Sequence, residues 1–450
     1  MLARGKAESR QRQNSCLTVL GDLRAAVIRW VRENLRHPKT VACYCKRLYG
    51  RSYTCGNGDW HSVATGLSSL NQNWFGKAPK KALTVGGPKG EQQMSTVDLP
   101  LQTLLGYLQK LAEQSLSFWD VPEDAVLRLI NITENTTYLV EASQGYKAIL
   151  RIHRKNYHTL RAIESELAWL EALGREKVIR TPEYYLGRNS CAIQFGKTDA
   201  LIDGRFMVLF HFVDGNAPDE SLDMTYGFHA LGAIAARCHD YAISWAKPTY
   251  FERLTWDAEA VFGPAATWGN WRDAPLVDRD IAEVLEEVEK TVCARLAAFG
   301  KPSERFNLIH ADMRLANLLV GQEGTSLIDF DDCGHGWFLY DFAASISFIE
   351  DDPRIPAFKD AWVRGYRSIR DLNAEDEAEI ETFIMLRRMA LLAWIGSHIE
   401  APEAQKLAPE FASVTAKIGK LYLEQCKMLT GNYWIDSNVW TPRFLAAMIL

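Results

Sequence analysis

Two apolar runs, each ending in polar side chains, constrain this chain most: Leu308-Ile-His310-Ala-Asp312-Met-Arg314-Leu-Ala-Asn317-Leu-Leu-Val320 and Leu327-Ile-Asp329-Phe-Asp331-Asp332. Each predicts a buried strand that delivers its polar groups to one place. Carboxylates beside apolar strands are costly to bury unless a cation or hydrogen bonds compensate them, so the pattern predicts a metal facing them. Asp312 has the position of a base, and Asn317 and Asp329 have those of metal ligands. Arg314 is placed either to neutralise charge on a transferring group or to pair with an acidic neighbour. Asp331 either assists the metal or has a structural role.

The remainder of the sequence has the means to build a fold around that constellation. Of 450 residues, 47% are hydrophobic and 24% charged, which suits a globular protein with a large core and excludes disorder throughout. The charge is divided near Met94. Residues 1–93 hold 16 Lys plus Arg against 5 Asp plus Glu, a surplus of +11, so residues 94–450 carry −16 within a total of −5. An acidic body is a poor surface for nucleic acid. The basic segment reads as an extension, with a helix over Leu17–Leu35 and a loop or disordered stretch over 50–93 rich in Gly, Ser, Asn, Lys and Pro. A misassigned start with Met94 the true one, an organelle presequence or a small regulatory appendage would each account for it. The nine cysteines form no evenly spaced framework and fit a reducing cytosol; Cys43-Tyr-Cys45 lacks the paired spacing of a zinc site. No stretch approaches the ~18 to 20 apolar residues that span a bilayer, so a cytoplasmic protein without a membrane partner is expected.

From Met94 the pattern is that of a folded enzyme. An amphipathic helix (Leu101, Leu104, Leu105, Leu108, Leu111) precedes a hairpin of Val126–Ile132 and Thr137–Ala142, a third strand Lys147–His153 and a helix over 159–173. Further strands end in Phe206–Val213, with a turn at Asp214-Gly215 and a hinge predicted near Phe212–Gly215. Helices are predicted over 225–244, 278–299, 356–371, 374–400 and 408–429. The order is a small sheet-rich lobe, 94–213, followed by a larger helical one, 214–450.

Phosphoryl transfer needs this equipment, because one carboxylate must take a hydroxyl proton and oxygen ligands must hold magnesium. The spacing H-x-D-x-x-x-x-N followed by D-F-D resembles that of the aminoglycoside phosphotransferase, choline kinase and type II homoserine kinase superfamily, over about residues 100–430. The resemblance implies an α+β, bilobal protein-kinase-like fold, with a small antiparallel-sheet N-lobe and a larger, mainly helical C-lobe. It implies ATP and Mg2+ as cofactors, Asp312 as the catalytic base, Asn317 and Asp329 as magnesium ligands, and His310 as a buttress of the loop in the nucleotide site. Asp341, in Leu339-Tyr-Asp-Phe-Ala343, matches a structural Asp of that superfamily.

Two features depart from the usual nucleotide site. The strand lysine that reaches the phosphates is replaced by Arg151, with Glu166 as its acidic partner on the next helix and Glu164 the alternative. Glu134-Asn-Thr-Thr137 stands where a Gly-rich loop would be. Cys333 reads as an inert buried thiol, and His335 and Trp337 as lining the cleft or shaping a tight turn. The acidic body favours a small hydroxylated acceptor bearing an amine, such as an aminoglycoside, amino alcohol or homoserine-like molecule. Phe330-Asp-Asp332 also resembles bacterial stress-response kinases that modify protein Ser or Thr. A non-catalytic nucleotide-binding protein is the remaining alternative.

Overall fold

The computed structural model describes residues 100–132, 135–218, 223–322 and 324–430. The helix read over Leu17–Leu35, the first four cysteines, the 50–93 loop and Glu134 lie outside the described residues.

Helix α1 (Leu101–Ser115) is followed by strands β1 (Val126–Ile132), β2 (Asn135–Glu141) and β3 (Lys147–His153), helix α2 (Leu160–Arg175), and strands β4 (Gln194–Gly196) and β5 (Arg205–His211). The five strands form one antiparallel sheet in the order β1-β2-β3-β5-β4. Side chains alternate across a strand, and this alternation decides what each face carries. Ala148, Leu150 and Ile152 of β3 pack with Met207 and Leu209 of β5 against Leu108, Leu111 and Ala112 of α1. Arg151 and His153 lie on the opposite face, buried, at 6% and 2% exposure. Helix α2 starts where the Thr159 hydroxyl accepts from Ala162 N at 3.0 Å, an N-cap that satisfies one orphan amide.

The chain continues through α3 (Thr225–Ser244), β6 (Leu254–Trp256), α4 (Ala258–Phe262), α5 (Arg279–Phe299), β7 (Phe306–Ile309), β8 (Leu318–Gly321), β9 (Gly324–Leu327) and β10 (Gly334–Trp337). It closes with α6 (Tyr340–Ser345), α7 (Ile355–Arg367), α8 (Ala374–Ala378), α9 (Ile380–Ser397) and α10 (Pro402–Thr430). Helices α3 and α7 cross with their backbones almost touching. A Cβ at Gly232 would stand 2.1 Å from the Trp362 carbonyl oxygen, and one at Gly365 2.0 Å from that of His229, so the crossing requires glycine at both positions. Every residue from Thr382 to Ile395 is buried, making α9 the central helix of the lobe.

Three expectations are corrected. The 374–400 helix is two, broken at Glu379, whose carboxylate takes the Arg295 guanidinium in two hydrogen bonds of 2.6 and 3.1 Å. The last helix begins at Pro402, six residues early, with Pro409 inside it. Buried Ala404, Ala408, Phe411 and Ala412 continue one packed face through the proline, and that burial outweighs the missing amide. Gly334–Trp337 is neither a turn nor a cleft wall. It is the middle strand of a sheet ordered β6-β10-β7, with Trp337 at 2% exposure donating from Nε1 to the Gly300 carbonyl at 2.6 Å.

Candidate active site

Strand β7 delivers the first motif, and a buried relay fixes the turn that follows. Ala311 adopts φ 66°, a left-handed conformation that a non-glycine residue holds only where its surroundings over-determine it. Here Asp341, fully buried on α6, accepts from both His310 N (3.1 Å) and Ala311 N (2.7 Å). His239 Nε2 stands 3.0 Å from the same carboxylate, and its Nδ1 stands 3.1 Å from the Tyr366 hydroxyl. Burial pushes the His239 ring below its ordinary pKa and keeps it neutral, so Nε2–H donates to Asp341 and Nδ1 accepts from Tyr366. His310 is 2% exposed. Its Nε2 donates to the Ile328 carbonyl (3.0 Å) and its Nδ1 receives Asp312 N (3.3 Å). It therefore ties the two motifs together and presents no surface to a cofactor, which removes it from the nucleotide-contacting set.

Asp312 is held on three sides. Arg387 Nη2 donates to its Oδ1 at 3.0 Å, Arg314 Nε lies 3.3 Å away, and Asn317 Nδ2 donates to both its carbonyl (2.8 Å) and Oδ2 (3.0 Å). Burial alone pushes this carboxyl up, but Arg314, Arg387 and His310 more than offset it and leave it below the ordinary value. Asp312 is therefore held as an ionised carboxylate. Arg387, on α9, was not legible in the sequence. It is 2% exposed, donates from Nε to the Ser347 hydroxyl at 3.0 Å, and lies over the rings of Trp268 (5.1 Å) and Tyr340 (5.7 Å). Arg314 reaches toward Glu403 at 3.9 Å as well as Asp312.

The second motif divides its two carboxylates between different tasks. Asp329, at φ 62° with half of its side chain open to solvent, faces outward. Asp331 is buried and turns toward Arg151 Nη1 (3.8 Å), His153 Nδ1 (3.6 Å) and His158 Nε2 (3.3 Å). Burial pushes the Asp331 carboxyl up, and His158 and Arg151 pull it well below the ordinary value. Asp331 is thus a counter-ion of the sheet face, and its placement argues against metal ligation. Arg151 donates to Glu166 Oε1 at 2.6 Å and sits 3.8 Å from Asp329 Oδ1. Glu164 is instead a surface partner of Arg161 at 3.3 Å. Arg253 escaped sequence reading too. Its guanidinium donates to the carbonyls of Cys333 (2.6 Å), Ala162 (3.0 Å) and Asp331, pinning the motif to the start of α2. Burial pushes the Cys333 thiol up to about 12 and leaves it inert.

The donor set suits a hard divalent cation. Asn317 spends its amide nitrogen on Asp312, which leaves its carbonyl oxygen for a ligand. Partial burial pushes the Asp329 carboxyl up to about 7 although half of its side chain stays open; Arg151 opposes this while Asp331 and Asp312 reinforce it. The site is short of positive charge, which a cation would supply. Among the described residues no group of three or more His, Cys, Asp or Glu side chains is arranged to hold a metal ion by itself, so remaining ligands would come from phosphate and water. A separate cavity of about 1010 Å³, lined by Leu170, Arg175, Arg180, Ile234 and Arg237, contains none of these residues.

Residues 126–378 match the phosphotransferase enzyme family. The solved structure of a microcompartment-associated aminopropanol kinase is 40% identical, with a TM-score of 0.65 over 70% of this chain and 97% of that one. Amicoumacin kinase of Bacillus subtilis (strain 168) is 24% identical over 284 residues, 59% of this chain and 78% of its own. An amicoumacin kinase solved with AMP-PNP, Ca2+ and Ami is 19% identical, with a TM-score of 0.55 over 71% of this chain and 94% of its own, a likeness of fold. With its catalytic-loop constellation and its bilobal protein-kinase-like fold, the chain is a small-molecule kinase and belongs to the phosphotransferase enzyme family.

Proposed function

We propose that this kinase moves the γ-phosphoryl group of ATP to the hydroxyl of a small amino alcohol, with residues 94–213 holding the nucleotide and 214–450 the acceptor. The observation that carries the reading is Asp312, kept ionised by Arg387 and Arg314 while Asn317 fixes its orientation. On this reading an Asp312 oxygen takes the acceptor's hydroxyl proton as the acceptor's hydroxyl oxygen bonds to the γ-phosphorus. The bond to the β,γ-bridging oxygen breaks and ADP departs with that electron pair. Arg314 is placed to neutralise charge on the transferring group, and Arg151, held by Glu166, to meet the nucleotide's phosphates. Asn317 and Asp329 would hold Mg2+, which supplies charge neutralisation at the phosphates when bound. The amino-alcohol acceptor rests on the aminopropanol kinase, which the chain matches over nearly its whole length, and on the −16 charge of residues 94–450. A cytoplasmic location fits the proposed use of ATP. No helix among the described residues is long and apolar enough to cross a membrane.

The test is Mg-ATP consumption by the full chain across amino alcohols, aminoglycosides, homoserine, choline and a generic protein substrate. Turnover stimulated by amino alcohols supports the reading; stimulation by a different class alone would overturn it. A second expectation concerns the metal. Because Asp329 is pushed up to about 7, its protonated fraction grows as pH falls through that value and competes with the cation. Apparent Mg2+ affinity should therefore weaken below pH 7. Asp329→Asn should lose more than the about 10–100-fold typical of removing an outer-shell partner, and should flatten that pH dependence. Calorimetric titration of Mg2+ with a non-hydrolysable ATP analogue at pH 6 and 8 reads both.

A further inference from the structure

We propose that the cavity of about 1010 Å³ between the C-terminal half of α2, the chain that follows it and α3 is a second ligand site, which takes a phosphate monoester carried on an apolar body. Its floor is apolar and its rim is cationic. Leu170 of α2, Ile179 of the following chain and Ile234 of α3 are buried, and Val178, Ala230 and Ala233 are half-buried beside them. Around this floor stand Arg175, Lys177, Arg180 and Arg237, all exposed and drawn from the same three segments. The volume lies at the upper end of the ~300–1,000 Å³ of small-molecule sites. Asp312, Asn317 and Asp329 do not line it, so an occupant and the nucleotide do not compete for residues.

The charge of the rim is opposite to that of the body around it. Residues 94–450 carry −16, whereas the cavity is lined by four cations against two acids, Glu171 and Glu183. One of those acids is already engaged, since Glu171 Oε2 accepts from the Tyr184 hydroxyl at 3.2 Å. Arg175 meets Glu176 at 3.0 Å in a solvent-exposed pair, which holds it weakly. Lys177 and Arg237 form no side-chain hydrogen bond or ion pair among the described residues. The last carbonyls of α2 do not compensate these cations either, because the amides of Glu176, Lys177 and Val178 take them at 3.1, 3.1 and 2.9 Å. The surplus of two positive charges matches a phosphate monoester, which carries about −1.5 to −2 near neutrality, and guanidinium forks suit its oxygens. The buried aliphatic floor adds a second requirement, an apolar body that gains by leaving water.

The experiment measures binding of 1-naphthyl phosphate to the full chain by its fluorescence, with the nucleotide site saturated by Mg-AMP-PNP. 1-Naphthol supplies the body without the charge, inorganic phosphate the charge without the body, and 1-naphthoate a single charge on the same body. One equivalent of 1-naphthyl phosphate should bind, at least about tenfold tighter than any of the three. Lys177→Gln and Arg237→Gln should each weaken it by about tenfold, and Ala233→Trp, which fills the floor, should abolish it. All three variants should keep the unmodified enzyme's turnover with Mg-ATP. No binding, or binding indifferent to these substitutions, would overturn the site. Equal affinity for 1-naphthol would make it a plain apolar hollow, and equal affinity for inorganic phosphate a plain anion site; either result overturns the proposed ligand. A phosphate monoester also heads phosphatidic acid, so the full chain is sedimented with phosphatidic acid vesicles and with phosphatidylcholine ones. Capture by the former that Arg237→Gln abolishes, without binding of 1-naphthyl phosphate, would replace the small molecule by a lipid surface and overturn the proposal. If Ala233→Trp fails to fold, the Lys177 and Arg237 variants decide by the same titration.

Discussion

Asp312→Asn should lower kcat by about 10²–10⁴-fold, the usual contribution of a positioned general base, while nucleotide binding persists. The asparagine keeps the shape and offers its one oxygen to Arg387 or to Asn317, and Asn317 keeps its bond to the backbone carbonyl, so the loop fixed by Asp341 and His310 has no reason to move. What disappears is the site that takes the proton. The variant also leaves the Arg387 guanidinium facing a neutral amide, so some thermal stability should go with the activity. Steady-state kinetics with the best acceptor, beside calorimetric binding of an ATP analogue, separates the two effects. Turnover equal to that of the unmodified enzyme would remove Asp312 from the role.

Arg387→Met should damage both stability and the pH profile, because Arg387 is the buried partner of Asp312, the proposed base. Removing one member of a buried pair typically costs about 3–5 kcal/mol; Asp312 keeps 14% of its side chain open and retains Arg314, so the lower end is expected. At about 2–4 °C per kcal/mol for a large domain, the midpoint of thermal unfolding should fall by several degrees. The sign of the pH effect follows from the Asp312 carboxyl, which the folded protein holds below its ordinary value. Such a group stabilises the fold above its unfolded pKa and loses that contribution as pH falls through its folded one. Without Arg387 the carboxyl rises toward the ordinary value. Stability near neutrality then drops, and the acid limb of kcat/KM moves to higher pH. An unchanged acid limb together with an unchanged unfolding midpoint would show that Arg387 does not hold the base.

How much of this was legible depends on the range of the interaction. Strand β3 was readable as Lys147–His153 because alternation is local, and the Arg151–Glu166 pair followed from a strand and the next helix, 15 residues apart. Asp312, Asn317 and Asp329 could be singled out as candidates because their spacing sits within one stretch of sequence. Arg387 meets Asp312 across 75 residues, and Arg253 reaches the second motif across 78 to 80. Nothing near either arginine in sequence announces a partner. Arg387 also lies on a helix buried on all sides, where no polar face marks an inward charge. Asp331 misleads for a related reason. Beside Asp329 it looks like a second ligand, and only the packing of β3 against its segment shows that His153 and His158 face it.

The hairpin of β8 and β9, which separates Asn317 from Asp329, is also joined to both neighbouring stretches of chain. Asn216 exchanges two backbone hydrogen bonds with Val320, at 3.1 and 2.9 Å, and Leu327 N donates to the Arg180 carbonyl at 3.0 Å. Gly215, at φ 144°, and Gly321 lie so close that a side chain on either would press on the other's backbone. The hairpin is therefore tied through Asn216 to the connection between the lobes and through Arg180 to the chain that follows α2. The separation between Asn317 and Asp329 is thus set by one short hairpin whose two strands are each tied to chain outside it.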